Sequence, residues 1–295
     1  MTAETDTKIL ERLAKQEEEE GHLPGLLDFY RRLLCIQSEV KSRIGLVKLS
    51  LNEEAINARI RGGTPLLGLE DISIDWALLR HTFEEVAALF ANYSEVLCET
   101  PDNLSKLSSC LDLRELAKAW YEGASLSPWI AASGINESLL ELMFQATLRP
   151  FLISHREALL IVVSQEQWCR RYCPICGGSP DFSFLDKERG SRWLLCSRCD
   201  AEWLFQRLEC PYCGTQDQGN LSYFTDDEGL YRLYICERCR HYLKAIDLRR
   251  VEREVLLPLE RFLTLDIDHQ AQEKGYSPCT EARQDEKGKV RQLYY

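Results

Sequence analysis

The sequence predicts an α+β protein: a mainly helical N-terminal domain, a duplicated metal-binding module of β-hairpins, and C-terminal helices. Three observations carry that expectation. Apolar residues through the first half recur at intervals of three and four, the period of helices with one buried face. From Cys169 onward cysteines become dense, with Gly and Pro beside them. After Ile246 the helical period returns. The domains expected are residues 1–168, 169–246 and 247–295.

Leu26, Leu27, Tyr30, Leu33 and Leu34 form the first apolar stripe. Asp75 is a candidate N-cap for a helix that aligns Trp76, Leu79, Phe83, Val86, Ala87 and Phe90. A third helix is expected from Asp102 through Leu104, Leu107, Leu111, Leu116 and Trp120. A fourth begins near Asn136 and carries Leu139, Leu140, Met143, Phe144 and Leu148. Pro150 is expected to kink or interrupt it, because proline lacks the N–H that the helix ladder needs. The helical pattern resumes from Phe151 towards Trp168. Residues 62–65 and 125–134 read as connections. Residues 191–195 and 230–235 read as strands. Val251, Val255, Leu259, Phe262, Leu263 and Ile267 mark the last helical face, around Pro258.

Composition narrows the function. The chain has 295 residues and a formal net charge of -11, which disfavours a protein devoted to coating nucleic acid or anionic lipid. Residues 169–250 hold 13 Lys and Arg against 12 Asp and Glu. Eight thiolates and two divalent ions would take that region to about -3, whereas a phosphate-tracking surface is clearly positive. Residues 1–21 are charged throughout and lack the apolar core of a secretory leader. No apolar run approaches the roughly 20 residues of a membrane span. A cytoplasmic protein is therefore expected, where paired cysteines act as metal ligands rather than disulfides.

The cysteines carry the chemistry. Eight of the 13 fall into four C-x-x-C pairs: Cys173/Cys176, Cys196/Cys199, Cys210/Cys213 and Cys236/Cys239. The segment CPICGG matches CPYCGT, and residues 184–199 align with 224–239 at an offset of 40. In that alignment Phe184, Asp186, Glu188, Arg192 and Arg198 meet Phe224, Asp226, Glu228, Arg232 and Arg238. Each unit is thus C-x-x-C, a linker of 19 or 22 residues, and a second C-x-x-C. Two intervening residues let a tight turn aim both sulfurs at one metal, and a hairpin in the linker brings the second turn opposite. Pro174 and Pro211 favour the turn, while Gly177 and Gly214 permit a positive φ after it. This is the knuckle of zinc ribbons and rubredoxin-like sites. Two metal ions are expected, each with four Cys ligands, and tetrahedral sulfur accepts iron or zinc alike. A closed four-thiolate shell leaves no position for substrate water, so no hydrolytic enzyme is expected at these metals.

The runs CPICGGSP, LLCSRCDAEW, CPYCG and ICERCRHYLKAID, with Glu202, Trp203, Tyr242, Leu243 and Lys244 and the ending LTLDIDHQAQEKGYSP, closely resemble the formate dehydrogenase accessory proteins of the FdhE type. The resemblance covers about residues 172–278; before Trp168 only the helical character and GGTPLL agree. It implies a non-enzymatic cytoplasmic helper that binds the immature catalytic subunit of formate dehydrogenase, with iron or zinc held by the eight paired cysteines. A homodimer is an assembly to test for. No nucleic-acid or membrane partner is expected. The alternative functions are a nucleic-acid-binding double zinc ribbon, if Arg198, Arg207, Arg238 and Arg240 gather on one face, and a thiol oxidoreductase using a metal-free C-x-x-C.

The remaining candidates have plainer readings. Cys169 is a partly buried spare thiol beside a complete site, and Cys35, Cys98 and Cys110 are small buried residues among helical apolar positions. Cys279 has no assigned role. His241 is an exposed histidine rather than a replacement ligand. Asp266, Asp268 and His269 could form a metal or catalytic cluster but are read as an ion pair or surface. Trp203 and Tyr242 pack on the knuckles, and the acidic run at 17–20 is a solvated helix end.

Overall fold

The computed structural model of the protein describes residues 2–45, 47, 51–93, 111–133 and 135–278. Helices α1 (Thr2–Glu20), α2 (Gly25–Ile44), α3 (Glu53–Gly62), α4 (Trp76–Asn92), α5 (Leu113–Glu122), α6 (Ser127–Ser133) and α7 (Glu137–Leu160) come first. Strands β1 (Pro180–Leu185), β2 (Arg192–Cys196), β3 (Glu202–Phe205), β4 (Leu221–Thr225), β5 (Tyr231–Cys236) and β6 (His241–Asp247) follow. Helices α8 (Leu257–Leu263) and α9 (Leu265–Glu273) come last. The chain folds as two compact units. One takes described residues within Met1–Lys48 and Gly68–Ala158, the other those within Leu49–Leu67 and Leu159–Ala282.

In the first unit the predicted stripes become the core. Leu79, Phe83, Val86, Leu116, Leu140, Met143, Phe144 and Phe151 are fully buried. Trp120 meets Phe144 edge-on with ring centroids 5.9 Å apart. Asp75 caps α4 as expected, its carboxylate accepting from the N–H groups of Ala77 and Leu78. A buried ion pair between Lys41 and Asp6 joins α2 to α1.

Three sequence expectations need correction here. The helix leading to Trp120 begins at Leu113, capped by Asp112, so Leu111 precedes it rather than lying within it; the expected start at Asp102 falls outside the described residues. The connection at 125–134 contains helix α6. Pro150 does not interrupt α7, which runs from Glu137 to Leu160. Proline 150 cannot donate to the carbonyl of Ala146, one turn back. The buried amide of Gln37 donates to that carbonyl instead, at 2.8 Å. The orphaned acceptor is satisfied and the helix continues. It stops short of Trp168, which lies beyond it, fully buried, with its indole N–H donated to the carbonyl of Tyr172.

The second unit is built on a six-stranded sheet in the order β3-β2-β1-β6-β5-β4. The two hairpins share one register. Phe184 stands opposite Trp193 in β1–β2, and Phe224 opposite Leu233 in β4–β5, an offset of 40 on both strands. Asp186 and Asp226 each accept a backbone N–H in the turn, from Arg189 and from Leu230 respectively. The ribbons join through a parallel pairing of β1 with β6, with Phe182 beside Lys244 and Phe184 beside Ile246. In the repeat β1 corresponds to β4 and β3 to β6. The join is therefore head-to-tail, and among the described residues it leaves one edge of each kind without a partner strand. At the β3 edge the Gln165 side chain takes a strand's place. It accepts from the N–H of Leu204 at 3.2 Å and donates to the carbonyl of Glu202 at 3.4 Å. At the β4 edge Tyr223 and Phe224 are 54% and 48% exposed.

The C-terminal helices lie against this sheet. Pro258 occupies the first turn of α8 rather than the middle of a longer helix, and Val251 and Val255 precede it outside any helix. Lys244, 3% exposed in β6, donates to the carbonyls of Arg261 and Thr264 and pairs with Asp268 at 2.5 Å. Asp247 ends β6 fully buried between Arg232 and Arg249, both at 2.7 Å. These neighbouring guanidinium groups, Arg249 first, hold its carboxyl down at about 2, against burial that opposes them.

Candidate metal centre

The eight paired cysteines assemble as two groups, Cys173–Cys176–Cys196–Cys199 and Cys210–Cys213–Cys236–Cys239, each with its sulfurs within 4.8 Å of one another. In the first group the Sγ atoms of Cys173 and Cys199 are 3.6 Å apart, and Cys176 lies 3.5 Å from both Cys196 and Cys199. In the second, Cys210–Cys239 and Cys213–Cys236 are each 3.7 Å. A disulfide would need about 2.05 Å. Four sulfurs placed about 2.3 Å from one ion have tetrahedral edges of roughly 3.8 Å. The geometry and donor set fit a four-thiolate metal site.

Local backbone chemistry builds the knuckles. Each pair sits in a turn that closes by hydrogen bonds from the residue after it: Gly177 to Cys173, Asp200 to Cys196, Gly214 to Cys210 and Arg240 to Cys236. All four of these residues have positive φ, between 55° and 73°. The two glycines follow from the sequence. Asp200 and Arg240 do not, since a side chain there normally costs energy. Partners distant in sequence hold both: Asp200 accepts from Arg261 at 3.0 Å, and Arg240 lies over the Tyr276 ring, with a local ion pair to Glu237 at 2.5 Å. The N–H groups of Ile175 and Arg198 point at the sulfurs of Cys173 and Cys196, both at 3.4 Å.

The first cluster has a cover that sequence reading treated as a plain connection. The N–H groups of Leu66 and Leu67 donate to the carbonyls of Pro174 and Ile175 at 2.9 and 2.8 Å. Tyr172 donates its hydroxyl to the carbonyl of Gly63 at 2.6 Å. The segment GGTPLL thus belongs to the metal module although more than a hundred residues separate them in sequence.

Residues 172–207 match the family model described as FdhE, central domain. A protein FdhE homolog from Aquifex aeolicus is 27% identical over 255 residues, 85% of this chain and 85% of that one. Over most of its length the chain is similar to FdhE proteins. An FdhE homolog from Shewanella oneidensis is 35% identical over 113 residues, 37% of this chain and 36% of its own. The FdhE protein of Escherichia coli O127:H6 is 30% identical over 112 residues, 37% of this chain and 35% of its own. The crystal structure of the FdhE protein from Pseudomonas aeruginosa shares the fold, with a TM-score of 0.58 and 21% identity over 94% of this chain and 92% of that chain.

Within each group the thiols act on one another's ionisation. Hydrogen bonding from Cys173 first, then from Cys196 and Cys199, pushes the Cys176 thiol well down. Burial pushes Cys173 and Cys199 well up. In the second cluster the hydrogen bond with Cys239 brings Cys210 down to about 5, and Cys239 rises in consequence. Burial lifts Cys236 to about 11. Four adjacent thiolates repel one another, so all four ionise together only when a cation shares the site.

Arg192 is a residue that sequence reading passed over. It is 3% exposed, and it donates to the carbonyls of Gln206 and Glu209 in the link between the clusters. Burial lowers its pKa to about 10, which leaves it charged at neutral pH beside the second cluster. Its only sequence signal is its alignment with Arg232.

The other candidates stay outside the two clusters. Cys169 is exposed rather than partly buried, and its thiol donates to the carbonyl of Glu166. Cys35 is exposed, not buried as expected from its apolar neighbours. Cys98, Cys110 and Cys279 lie outside the described residues. His241 contacts the carbonyl of Cys239 through Nδ1 and tilts against Tyr212. The Asp266, Asp268 and His269 group divides, for Asp268 pairs with Lys244 while His269 faces Glu273 at 3.6 Å. Trp203 and Tyr242 are buried, with the Trp203 indole N–H donated to the carbonyl of Arg170. Among the described residues no helix is long and apolar enough to cross a membrane.

Proposed function

We propose that this chain is a non-enzymatic accessory factor that binds the immature catalytic subunit of formate dehydrogenase in the cytoplasm. Similarity to FdhE proteins over most of the chain supports a formate dehydrogenase-related accessory role. The observation that carries the non-enzymatic reading is the closure of both sulfur groups. Each offers four thiols at tetrahedral spacing and no open position for substrate. Cys173, Cys176, Cys196 and Cys199 hold one ion in this reading, and Cys210, Cys213, Cys236 and Cys239 the other, either iron or zinc. Bound metal supplies folding energy and fixes the surface that the client meets.

The client surface we assign is the β4 edge, which no other strand covers among the described residues. It is the repeat counterpart of the β1 edge that β6 covers, and it carries exposed Tyr223 and Phe224. By the β4–β5 register, Tyr223 and Thr225 turn backbone groups outward, ready for an added strand. Affinity capture of the tagged chain from its own cells, grown while they make formate dehydrogenase, is expected to recover the catalytic subunit. Tyr223→Glu with Phe224→Glu is expected to lose that capture without a change in unfolding midpoint. Absence of any formate dehydrogenase subunit from the wild-type eluate would sink the client assignment. The nucleic-acid alternative gains nothing from Arg240, which is committed to Glu237 and Tyr276.

A further inference from the structure

The two cysteine clusters have the same ligands but different surroundings. All four cysteines of the first are buried, with Cys173, Cys196 and Cys199 at 0% exposure and Cys176 at 3%. In the second, Cys210 and Cys236 are buried while Cys213 and Cys239 are partly exposed. The covers differ as well. Backbone hydrogen bonds from Leu66 and Leu67 clamp the Pro174–Ile175 turn, and Pro65 lies 3.1 Å from where a Cβ on Gly177 would stand. The matching Tyr212 turn is met by a side chain, the Arg171 guanidinium, at 3.2 Å. A cavity of about 30 Å³ lies against Cys210 and Cys236, lined also by Arg192, Tyr212 and Tyr234. That is room for a donor of about water size.

Ligand exchange at a closed tetrahedral thiolate site needs an incoming donor to reach the metal while one sulfur leaves. The second cluster offers both requirements: an approach beside Cys210 and Cys236, and leaving sulfurs on the partly exposed residues Cys213 and Cys239. The first offers neither. We propose that the Cys210–Cys213–Cys236–Cys239 centre is an exchangeable metal site, open to small soft donors such as thiolates, while the Cys173–Cys176–Cys196–Cys199 centre holds its ion permanently. The step is a substitution without change of oxidation state. A bond from the donor sulfur to the metal forms, the bond to Cys213 or Cys239 breaks, and the released thiolate takes a proton from water. The inference rests on the reading that both clusters hold metal.

The full-length protein is loaded with zinc, its two equivalents are verified by elemental analysis, and it is then challenged with excess 4-(2-pyridylazo)resorcinol in the presence of iodoacetamide. One equivalent is expected to leave at least about tenfold faster than the other. Peptide mass spectrometry is expected to find Cys210, Cys213, Cys236 and Cys239 alkylated with the fast phase, and the first cluster's cysteines protected until the slow one. Exposed Cys35 and Cys169 report reagent activity from the first seconds. Release of both equivalents in one phase overturns the inference and leaves the metal reading intact, as does earlier alkylation of Cys173, Cys176, Cys196 and Cys199. Failure to load any metal overturns both.

Discussion

Gly177 concentrates two constraints on one backbone position. Its φ is +73°, and a Cβ there would stand 3.1 Å from Pro65 Cγ. Gly229 has φ +69° but nothing within 4 Å of the added carbon. Gly229→Ala is expected to cost about 1 kcal/mol from backbone strain alone. Gly177→Ala is expected to cost more, about 2 kcal/mol, and to loosen the cover of the first cluster. Denaturant unfolding of the metal-loaded proteins compares the two, and equal midpoints would refute the close-approach term. His155 sets a pH dependence. It is 3% exposed, with Nδ1 against the carbonyl of Phe151 and Nε2 accepting the N–H of Ser73, so the neutral ring fits and a second ring proton does not. Burial lowers its pKa. The unfolded chain therefore takes up this proton first as pH falls below about 6.5, and stability drops by up to about 1.4 kcal/mol per pH unit until the folded pKa is reached. His155→Gln is expected to flatten that slope between pH 6.5 and 5.5, measured as the difference from wild type. At this scale the paired cysteines and the two knuckle glycines were legible, because spacing and φ requirements are local. Asp200, Arg240 and Arg192 were not, because what holds them is Arg261, Tyr276 and the 206–209 carbonyls, set by the fold.

Helix α7 shows why element boundaries read from proline can fail. Proline removes a donor, but the cost falls on the acceptor left behind, and here Gln37 from α2 supplies what Pro150 withholds. Gln37→Leu keeps a similar volume and strands the buried Ala146 carbonyl, with an expected loss of about 1–3 kcal/mol in denaturant unfolding. In a Pro150→Ala background the carbonyl regains its helical donor, and the same substitution should cost much less. A cycle showing no coupling between the two positions would remove Gln37 from this role. The apolar stripes that gave α2, α4 and α7 were legible because burial repeats with the helical period. Helix α6, seven residues of SPWIAAS, is too short to carry a period. Strand β6 interrupts its apolar run with Lys244, whose satisfaction by Asp268 and the carbonyls of Arg261 and Thr264 is invisible along the sequence.

At the scale of the whole molecule, the duplication was legible from the offset of 40, whereas the head-to-tail β1–β6 join and the capture of GGTPLL by the metal module were not, since both rest on contacts distant in sequence. Those contacts divide the energetics. The first unit buries Leu79, Phe83, Leu116, Trp120, Met143, Phe144 and Phe151, enough large side chains for a helical core of its own. The sheet unit fully buries Trp168 and Trp203 and holds apolar groups around Phe182, Phe184, Leu195 and Ile246 and around Leu233, Ile235 and Tyr242, but its strands meet at the two cysteine knuckles. A zinc-finger-like site contributes on the order of 10 kcal/mol, comparable to the whole stability of an ordinary domain. Removing both ions under reducing conditions should therefore unfold the sheet unit and spare the helical one. Tryptophan emission should shift to the red as Trp168 and Trp203, both fully buried, meet water. Ellipticity at 222 nm should largely persist and then melt in a separate transition on heating. Loss of both signals together on chelation would mean that the helical core cannot stand without the metal module, and unchanged emission would mean that the sheet folds without metal.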